Sequence, residues 1–468
     1  MSLKRSSVRQ FWNDLRESLA GTERDFTTEN LTRAVTLLAI PMVLELVMQS
    51  IFGVIDVFFV ARLGSQAVAA VGITESLLTI IFSIAGGLSM GITAVIARRI
   101  GEKNRDAAAV AAVQAIFVGL LVSAPITLVG LLYSRDLLVL MGASPSVADI
   151  GSGYNTIMIG GNLTIMLLFL INAIFRGAGD AVIAMRVLWI ANLLNIALDP
   201  LLIFGLGPFP ELGVSGAAVA TNIARGLGVS YQVFLLFRGR RRIELTFGHL
   251  RLNGPVILNL CRVSLGGILQ FLVATASWLG LVRIVALFGS SALAGYTIAL
   301  RVVIFAILPS WGMSNAAATL VGQNLGAGKP DRAERSVWVT AFASMAFMVL
   351  ITIAFTGLAR PISLLFTQEA AVIPFAVDCL RYISYGYVFY ACGMVVVQAF
   401  NGAGDTYTPT VINLFCYWLI QIPLAYWLAL KMGMGAQGVF LAIAISESLL
   451  AVVAVLVFRR GRWKERDV

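Results

Sequence analysis

The sequence predicts an all-α polytopic membrane protein, with 12 transmembrane helices in two six-helix lobes around a central cavity, the lobes related by an internal pseudo-two-fold repeat. Three observations predict this class. Of the 468 residues, 59% are hydrophobic and only 12% charged, whereas soluble domains carry about 25% charged residues. The apolar residues form continuous runs of span length, which disfavours a β-barrel with its alternating pattern. The chain also repeats at one constant offset. Gly177-Ala178-Gly179-Asp180 returns in the second half as Gly402-Ala403-Gly404-Asp405, and Leu63-Gly64-Ser65 through Ala69 returns as Phe288-Gly289-Ser290 through Ala294. Ile100-Gly101 with Asp106 returns at the same offset as Leu325-Gly326 with Asp331. An even number of spans per half makes the two halves parallel repeats about an axis along the membrane normal, with a path for cargo expected at their interface.

The spans are expected near 34–61, 66–97, 107–132, 150–175, 183–206, 213–237, 256–288, 291–322, 336–358, 373–400, 409–430 and 434–458. The chain then divides into an N-terminal segment (1–32), an N-lobe (33–237), a basic linker (238–255), a C-lobe (256–458) and a tail (459–468). Basic residues alternate by loop. One side collects Lys4, Arg5, Arg9, Arg98, Arg99, Lys103, Arg105, Arg176, Arg186, the cluster Arg238 to Arg242 with Arg251, then Lys329, Arg332, Arg335 and the tail. The other side holds little beyond Arg62, Arg135, Arg360 and Lys431. The positive-inside rule puts both termini in the cytoplasm, and the plasma (inner) membrane is the expected location. The net charge of +10 therefore marks topology and no nucleic-acid partner. The partner it implies is the bilayer, and a monomer is expected. Residues 1–32 are polar and charged and are not expected to be a cleaved signal peptide. They are expected to be a short helix on the membrane surface, with Trp12, Leu15 and Leu19 on one face, or a disordered tail. Cys261, Cys379, Cys392 and Cys416 show no disulfide or metal spacing, and His249 lies in a basic loop.

One stretch departs from the apolar pattern. Asn192, Asn195 and Asp199 stand at i, i+3 and i+7, on one face of a helix inside the run from Val182 to Leu206. A carboxylate in such a run is costly unless function retains it. Pro200 follows and gives no N–H to the carbonyl of Ile196, so Pro200 and Pro41 are expected bend points. The acids within apolar runs are Glu45, Asp56, Glu75, Asp199 and Glu447. At the repeat offset Asp199 meets Leu424 and Asp56 meets Leu281, so the charges belong to one lobe and do not maintain the shared fold. In the first helix Glu45, Gln49, Phe52 and Asp56 are spaced 4, 3 and 4. At about 100° per residue Asp56 returns to within about 20° of Glu45. A carboxyl buried in apolar surroundings keeps its proton to higher pH, and a second carboxyl beside it adds to that effect. Such a pair can exchange protons near neutrality. With deprotonated oxygens and the Asn195 carbonyl it could instead hold sodium.

Each of these residues could also serve packing alone. Asp56 could pair with Arg62 at the interface, Glu75 with Arg283 or Arg301, Glu447 could anchor a helix, and the asparagines could be interhelical glue. The Gly-Ala-Gly-Asp loops read as tight turns with aspartate as a helix N-cap. Met158, Met166, Tyr387, Tyr390 and Met394 are an adaptable apolar surface or ordinary packing.

In their order along the chain, five marks resemble the multidrug and toxic compound extrusion (MATE) family over residues 33–460. They are Pro41 through Asp56 with Ala61-Arg62-Leu63-Gly64; Arg176 through Asp180; Asn195 through Pro200 followed by Gly213 through Ala218; Val321 through Gly328; and Asn401 through Asp405. The resemblance implies export of cationic amphipathic compounds, such as drugs or metabolites, in exchange for protons or sodium ions, with no other cofactor. It matches Asp56 and Asp199 to the family's N-lobe carboxylates and Asn195 to their polar neighbour, with Tyr154, Asn172 and Thr221 in the same cluster. Glu45, Gln49 and Asn192 are further candidate cavity residues, Glu45 standing outside the family motif. Some branches place a coupling acid in the seventh helix. Here 256–288 holds no Asp or Glu, which turns the expectation toward N-lobe proton coupling. A lipid-linked oligosaccharide flippase of the same superfamily is the alternative, kept alive by Arg262, Arg283 and Arg301. No nucleophile, metal or phosphate-loop motif points to an enzyme.

Overall fold

The computed structural model describes residues 12–21, 24–239 and 242–466. Lys4, Arg5, Arg9, Arg240 and Arg241, and the side chain of Phe52, lie outside the described set. Every described element is helical. After a short helix over 12–20 (α1) come α2 (Leu31–Val60), α3 (Ser65–Gly101), α4 (Arg105–Leu132), α5 (Ser134–Leu140), α6 (Pro145–Gly160), α7 (Asn162–Ala178), α8 (Ala181–Ile203) and α9 (Val214–Phe237). The second half follows as α10 (Gly254–Ala286), α11 (Ser290–Gly326), α12 (Pro330–Leu364), α13 (Ile373–Ser384), α14 (Tyr387–Gly402), α15 (Tyr407–Lys431) and α16 (Ala436–Phe458). Ten described helices are long and apolar enough to cross a membrane, or eleven when the bent pair α13–α14 counts as one span. The remaining expected span is α9. Its 24 residues reach about 36 Å at 1.5 Å each, but Thr221, Asn222, Arg225 and Gln232 lower its apolarity. α15 is irregular, with π-helical stretches at Leu414–Gln421 and Trp427–Lys431.

The sequence repeat is a structural repeat. α3 and α11 are both 37 residues long, and they begin and end at equivalent positions of the two halves. Gly179 and Gly404 end equivalent helices with φ of 86° and 85°, a left-handed turn that favours glycine. The aspartates that follow differ. Asp405 accepts from the Thr408 N–H at 3.3 Å, as a capping side chain does. Asp180 makes no cap bond and lies 4.0 Å from Arg242 instead, so the expected N-cap holds in one half only. α2 continues as helix through Pro41, and α8 passes Pro200 to Ile203. A bend of 57° lies between α13 and α14, at Tyr385-Gly386, where Gly386 lies against the backbone of Ala444.

The two lobes close against each other at the end where α1 docks and the stretch after α16 lies. A Cβ on Gly101 would lie 2.0 Å from the carbonyl oxygen of Gln323, and one on Gly326 would lie 2.1 Å from that of Arg98. These two contacts exchange under the repeat, so the pseudo-two-fold axis passes between the ends of α3 and α11. Gln323 adds a hydrogen bond across the seam, Nε2 to Gly177 O at 2.9 Å.

The N-terminal segment crosses the same end as a strap. Lys329 and Arg332 of the C-lobe donate to the carbonyls of Thr27 (2.9 Å) and Phe26 (3.1 Å). Arg242 lies over the buried ring of Phe26 at 4.8 Å, and Arg186 donates to Leu19 O at 2.6 Å. α1 therefore docks through its polar face, with Asp14 and Glu17 both bonded to Arg33. Trp12 is 60% exposed.

The seam has a direct test. Asp106 and Asp331 are exposed, occupy equivalent places in the two lobes, and can carry spin labels after exchange for cysteine in a background without native cysteines. Gly101→Val is expected to lengthen the label-to-label distance, because its side chain cannot share the space of the Gln323 backbone. An unchanged distance distribution would mean the seam yields locally without opening.

Candidate functional site

The N-lobe brings four helices to one buried polar cluster, and a fifth, α3, stands at its edge. α8 supplies Asp199, fully buried, and Asn195, 2% exposed. Asn195 stands one turn before Asp199 and donates Nδ2 to Asp199 Oδ1 at 3.2 Å. The same Nδ2 donates to Thr221 Oγ1 on α9 at 3.1 Å. α2 supplies Asp56 and α6 supplies Tyr154, both buried. Asp199 lies in the field of Asp56, and Tyr154 in the field of both acids. The cluster is rich in unmet acceptors. Asp56 Oδ1, Asp199 Oδ2 and Asn195 Oδ1 are all buried without a hydrogen-bond partner. Buried polar atoms are nearly always bonded, and these three oxygens are acceptors that the surrounding side chains leave unmet.

Charge in the cluster is not balanced as the sequence suggested. Asp56 does not find Arg62, whose guanidinium lies over the Phe58 ring at 4.9 Å. Asp56 faces Glu75 on α3 and Arg225 on α9. Glu75 in turn faces Arg301 on α11, one of the two partners expected for it. Arg225 is the residue that sequence reasoning missed. It stands one turn beyond Thr221 on α9, a signal that becomes visible only once Thr221 is placed at the site.

Glu45 goes elsewhere. Its carboxylate pairs with Arg176 of α7 at 2.8 Å and accepts from Asn172 Nδ2 at 3.3 Å. Asn172 accepts in turn from Gln232 at 2.5 Å. Glu45, Gln49 and Asn172 line a cavity of about 120 Å³ between the lobes, whose C-lobe wall carries Asn315, Gln398 and Asn401. That volume equals roughly four waters and falls below the 300–1,000 Å³ of drug-sized sites. The shared helix face of Glu45 and Asp56 therefore serves two sites. Eleven residues at 1.5 Å each separate them by about 16 Å along the axis. Of the three residues expected in the Asp199 cluster, Tyr154 and Thr221 stand there, while Asn172 belongs with Glu45. Asn192 donates to the backbone of Met48 at 3.3 Å and ties α8 to α2. Met158 and Met166 are N-lobe core. Tyr387, Tyr390 and Met394 line larger cavities on the C-lobe side of the cleft, together with Glu447. Glu447 is thus a cavity residue and more than the helix anchor that its sequence position suggested. Among the described residues, no group of three His, Cys, Asp or Glu side chains converges as a metal site.

Comparison with known proteins agrees with this architecture. The MatE family model matches the chain twice, over residues 41–201 and 267–427. A "Probable multidrug resistance protein NorM" from Thermotoga maritima is 26% identical over 92% of this chain and 93% of its own length. An "FAD transporter" from Shewanella oneidensis is 27% identical over 87% of this chain and 90% of its own. A solved structure described as an outward-facing conformation of a multidrug resistance MATE family transporter superposes with a TM-score of 0.87 at 26% identity. That match covers 94% of this chain and 98% of the other.

Proposed function

The chain belongs to the MatE family of multi-pass membrane transporters, and from that premise we propose that it is an antiporter exporting organic cations against an inward flow of protons. The observation that carries this reading is the set of three unpartnered buried oxygens on Asp56, Asp199 and Asn195. The balance of charge points the same way. Three carboxylates, Asp56, Asp199 and Glu75, face two guanidiniums, Arg225 and Arg301. One negative charge is left over, which one proton or one monovalent cation neutralises. The same three oxygens are the hard donors a sodium ion would use, so sodium is the second arm of the test.

The exchange needs no direct contact between ion and drug. It needs the cluster to bind its ion with different affinity in the two arrangements of the lobes. Asp56, on the helix that also lines the interlobe cavity, and Asn195, bridging α8 to α9, are placed to feel that rearrangement. The strap and the Gly101–Gln323 seam close the end where α1 docks. With that end in the cytoplasm, as the basic loops require, the lobes are closed inward. An oligosaccharide flippase would want unpaired basic groups in its cavity. The arginine lining the interlobe cavity, Arg176, is already neutralised by Glu45.

Purified protein in proteoliposomes, given a proton gradient or a sodium gradient separately, tests the reading. Export of a fluorescent cation driven by the proton gradient alone is expected. Export driven by sodium alone would move the coupling ion to sodium, and export under neither gradient would remove the antiport.

A further inference from the structure

We propose that a lipid-facing crevice between α10 and α15 binds one anionic glycerophospholipid from the leaflet opposite the strap, with Arg283 and Lys431 holding its phosphate. The site lies on the outside of the C-lobe, away from the cleft between the lobes, and does not rest on the export reading.

The crevice measures about 930 Å³. One wall is the end of α10, where Gly280, Arg283, Ile284 and Leu287 stand at i, i+3, i+4 and i+7 and so share a face. The other wall is the end of α15, from Leu419 to Lys431. One turn deeper the two helices are pinned together. Ser277 Oγ donates to Gln421 Oε1 at 3.1 Å, and Trp418 Nε1 donates to the Val273 carbonyl at 3.1 Å. Gly280 follows, with Ile422 against it, so the crevice has a floor and opens toward the end of the bundle opposite the strap. Leu287, Leu419, Tyr426 and Trp427 line it and are exposed. On spanning helices such apolar exposure meets lipid.

Charge selects the headgroup. Among the described residues the charged groups lining the crevice are Arg283 and Lys431, with no acid beside them, and neither makes an ion pair or a side-chain hydrogen bond. Two other cations of that end are engaged: Arg135 pairs with Asp149 at 2.9 Å, and Arg62 lies over Phe58. A lipid phosphate supplies the missing charge, as in other basic pockets between spanning helices. The ammonium of a zwitterionic headgroup finds no carboxylate here. Tyr426 and Trp427, about one turn before Lys431, are of the kind that sits at headgroup level, which leaves the apolar floor to an acyl chain. The pair also belongs to one lobe. At the repeat offset Arg283 meets Phe58 and Lys431 meets Leu206, so the shared fold does not require it. The π turns belong to the same lobe. Leu419, Pro423, Trp427 and Lys431 line the crevice at four-residue spacing. On an α-helix each such step drifts about 40°, which would turn Lys431 about 120° from Leu419. The wider turns at Leu414–Gln421 and Trp427–Lys431 offset that drift. The equivalent helix α8 is α-helical throughout Ala181–Ile203.

Native mass spectrometry of the full chain, released from detergent and titrated with phosphatidylglycerol or phosphatidylethanolamine, tests the site. Wild type is expected to bind its first phosphatidylglycerol about tenfold or more tighter than its first phosphatidylethanolamine, in the range of two basic contacts to a headgroup. The double variant Arg283→Gln with Lys431→Gln should lose that preference. The exchange Arg283→Lys with Lys431→Arg should keep it, which separates a lost charge from a damaged fold. Arg360→Gln removes an exposed cation near the same end but outside the crevice, and should keep the preference too, which separates the site from net charge. Glycerol phosphate in excess should not displace the bound phosphatidylglycerol, because it brings the phosphate without the chains. Equal affinity of wild type for the two lipids would overturn the site. So would an undiminished preference in the Gln double variant, its loss in the exchange variant or in Arg360→Gln, or displacement by glycerol phosphate.

Discussion

Asp199→Asn is expected to abolish proton-driven export while leaving insertion and folding intact. Asparagine has nearly the size of aspartate and can still accept from Asn195, so the 3.2 Å contact survives. What disappears is the group that takes and releases a proton. The cluster then holds a fixed charge in both arrangements of the lobes, and the ion no longer distinguishes them. Coupling free energies of 1–3 kcal/mol correspond to roughly 5–150-fold, so the gradient-driven initial rate should fall by on the order of 100-fold. Asp56→Asn is expected to behave alike, with one difference. It also frees the guanidinium of Arg225 from a facing carboxylate, so some loss of thermal stability accompanies it. Dye efflux from proteoliposomes checks both variants. Retained pH-driven efflux in either would take the coupling role away from that carboxyl.

Arg176→Ala is expected to be the most damaging single change to stability. It removes the partner of Glu45 and leaves a carboxylate, 7% exposed in its side chain, against the Asn172 amide alone. Breaking a buried pair from one side costs about 3–5 kcal/mol, a large part of the ~5–15 kcal/mol that holds a typical domain together. Yield of folded protein in detergent should collapse. The double variant Glu45→Gln with Arg176→Gln removes both charges and keeps polar groups of similar size, so it should recover most of the stability. A double-mutant cycle by thermal unfolding should therefore show strong coupling between the two positions. Additive losses would show that Glu45 and Arg176 do not act as one unit.

Much of this was legible in the sequence because a bilayer writes simple rules. Spans must be long and apolar, and a duplicated fold keeps its turn glycines, so the constant repeat offset foretold the matching α3 and α11. Asp199 with Asn195 stood out because a carboxyl beside an amide in a leucine-rich run is too costly to keep without a use. What stayed hidden has a physical cause in each case. A helical wheel gives the direction of Glu45 and Asp56 but discards their height, and height is what sends one to Arg176 and the other to Asp199. Arg225 sits in the least apolar span, where a single arginine attracts no notice until α9 packs against α2. The cavity around Glu447 is assembled from α3, α10, α11, α13, α14, α15 and α16, and no local spacing along any one of them announces it. The 57° break at Tyr385-Gly386 lies beside a close helix contact that sequence spacing does not encode.

Antiport requires the Asp56–Asp199 cluster to give up its ion when an organic cation binds. Proton release on adding tetraphenylphosphonium to the purified protein can be followed with a pH indicator in weakly buffered, sodium-free medium. Wild type should release about one proton per cation bound, matching the single excess charge of the cluster, and Asp199→Asn should release none. Cation binding without proton release, or equal release from Asp199→Asn, would contradict the coupling role of the cluster.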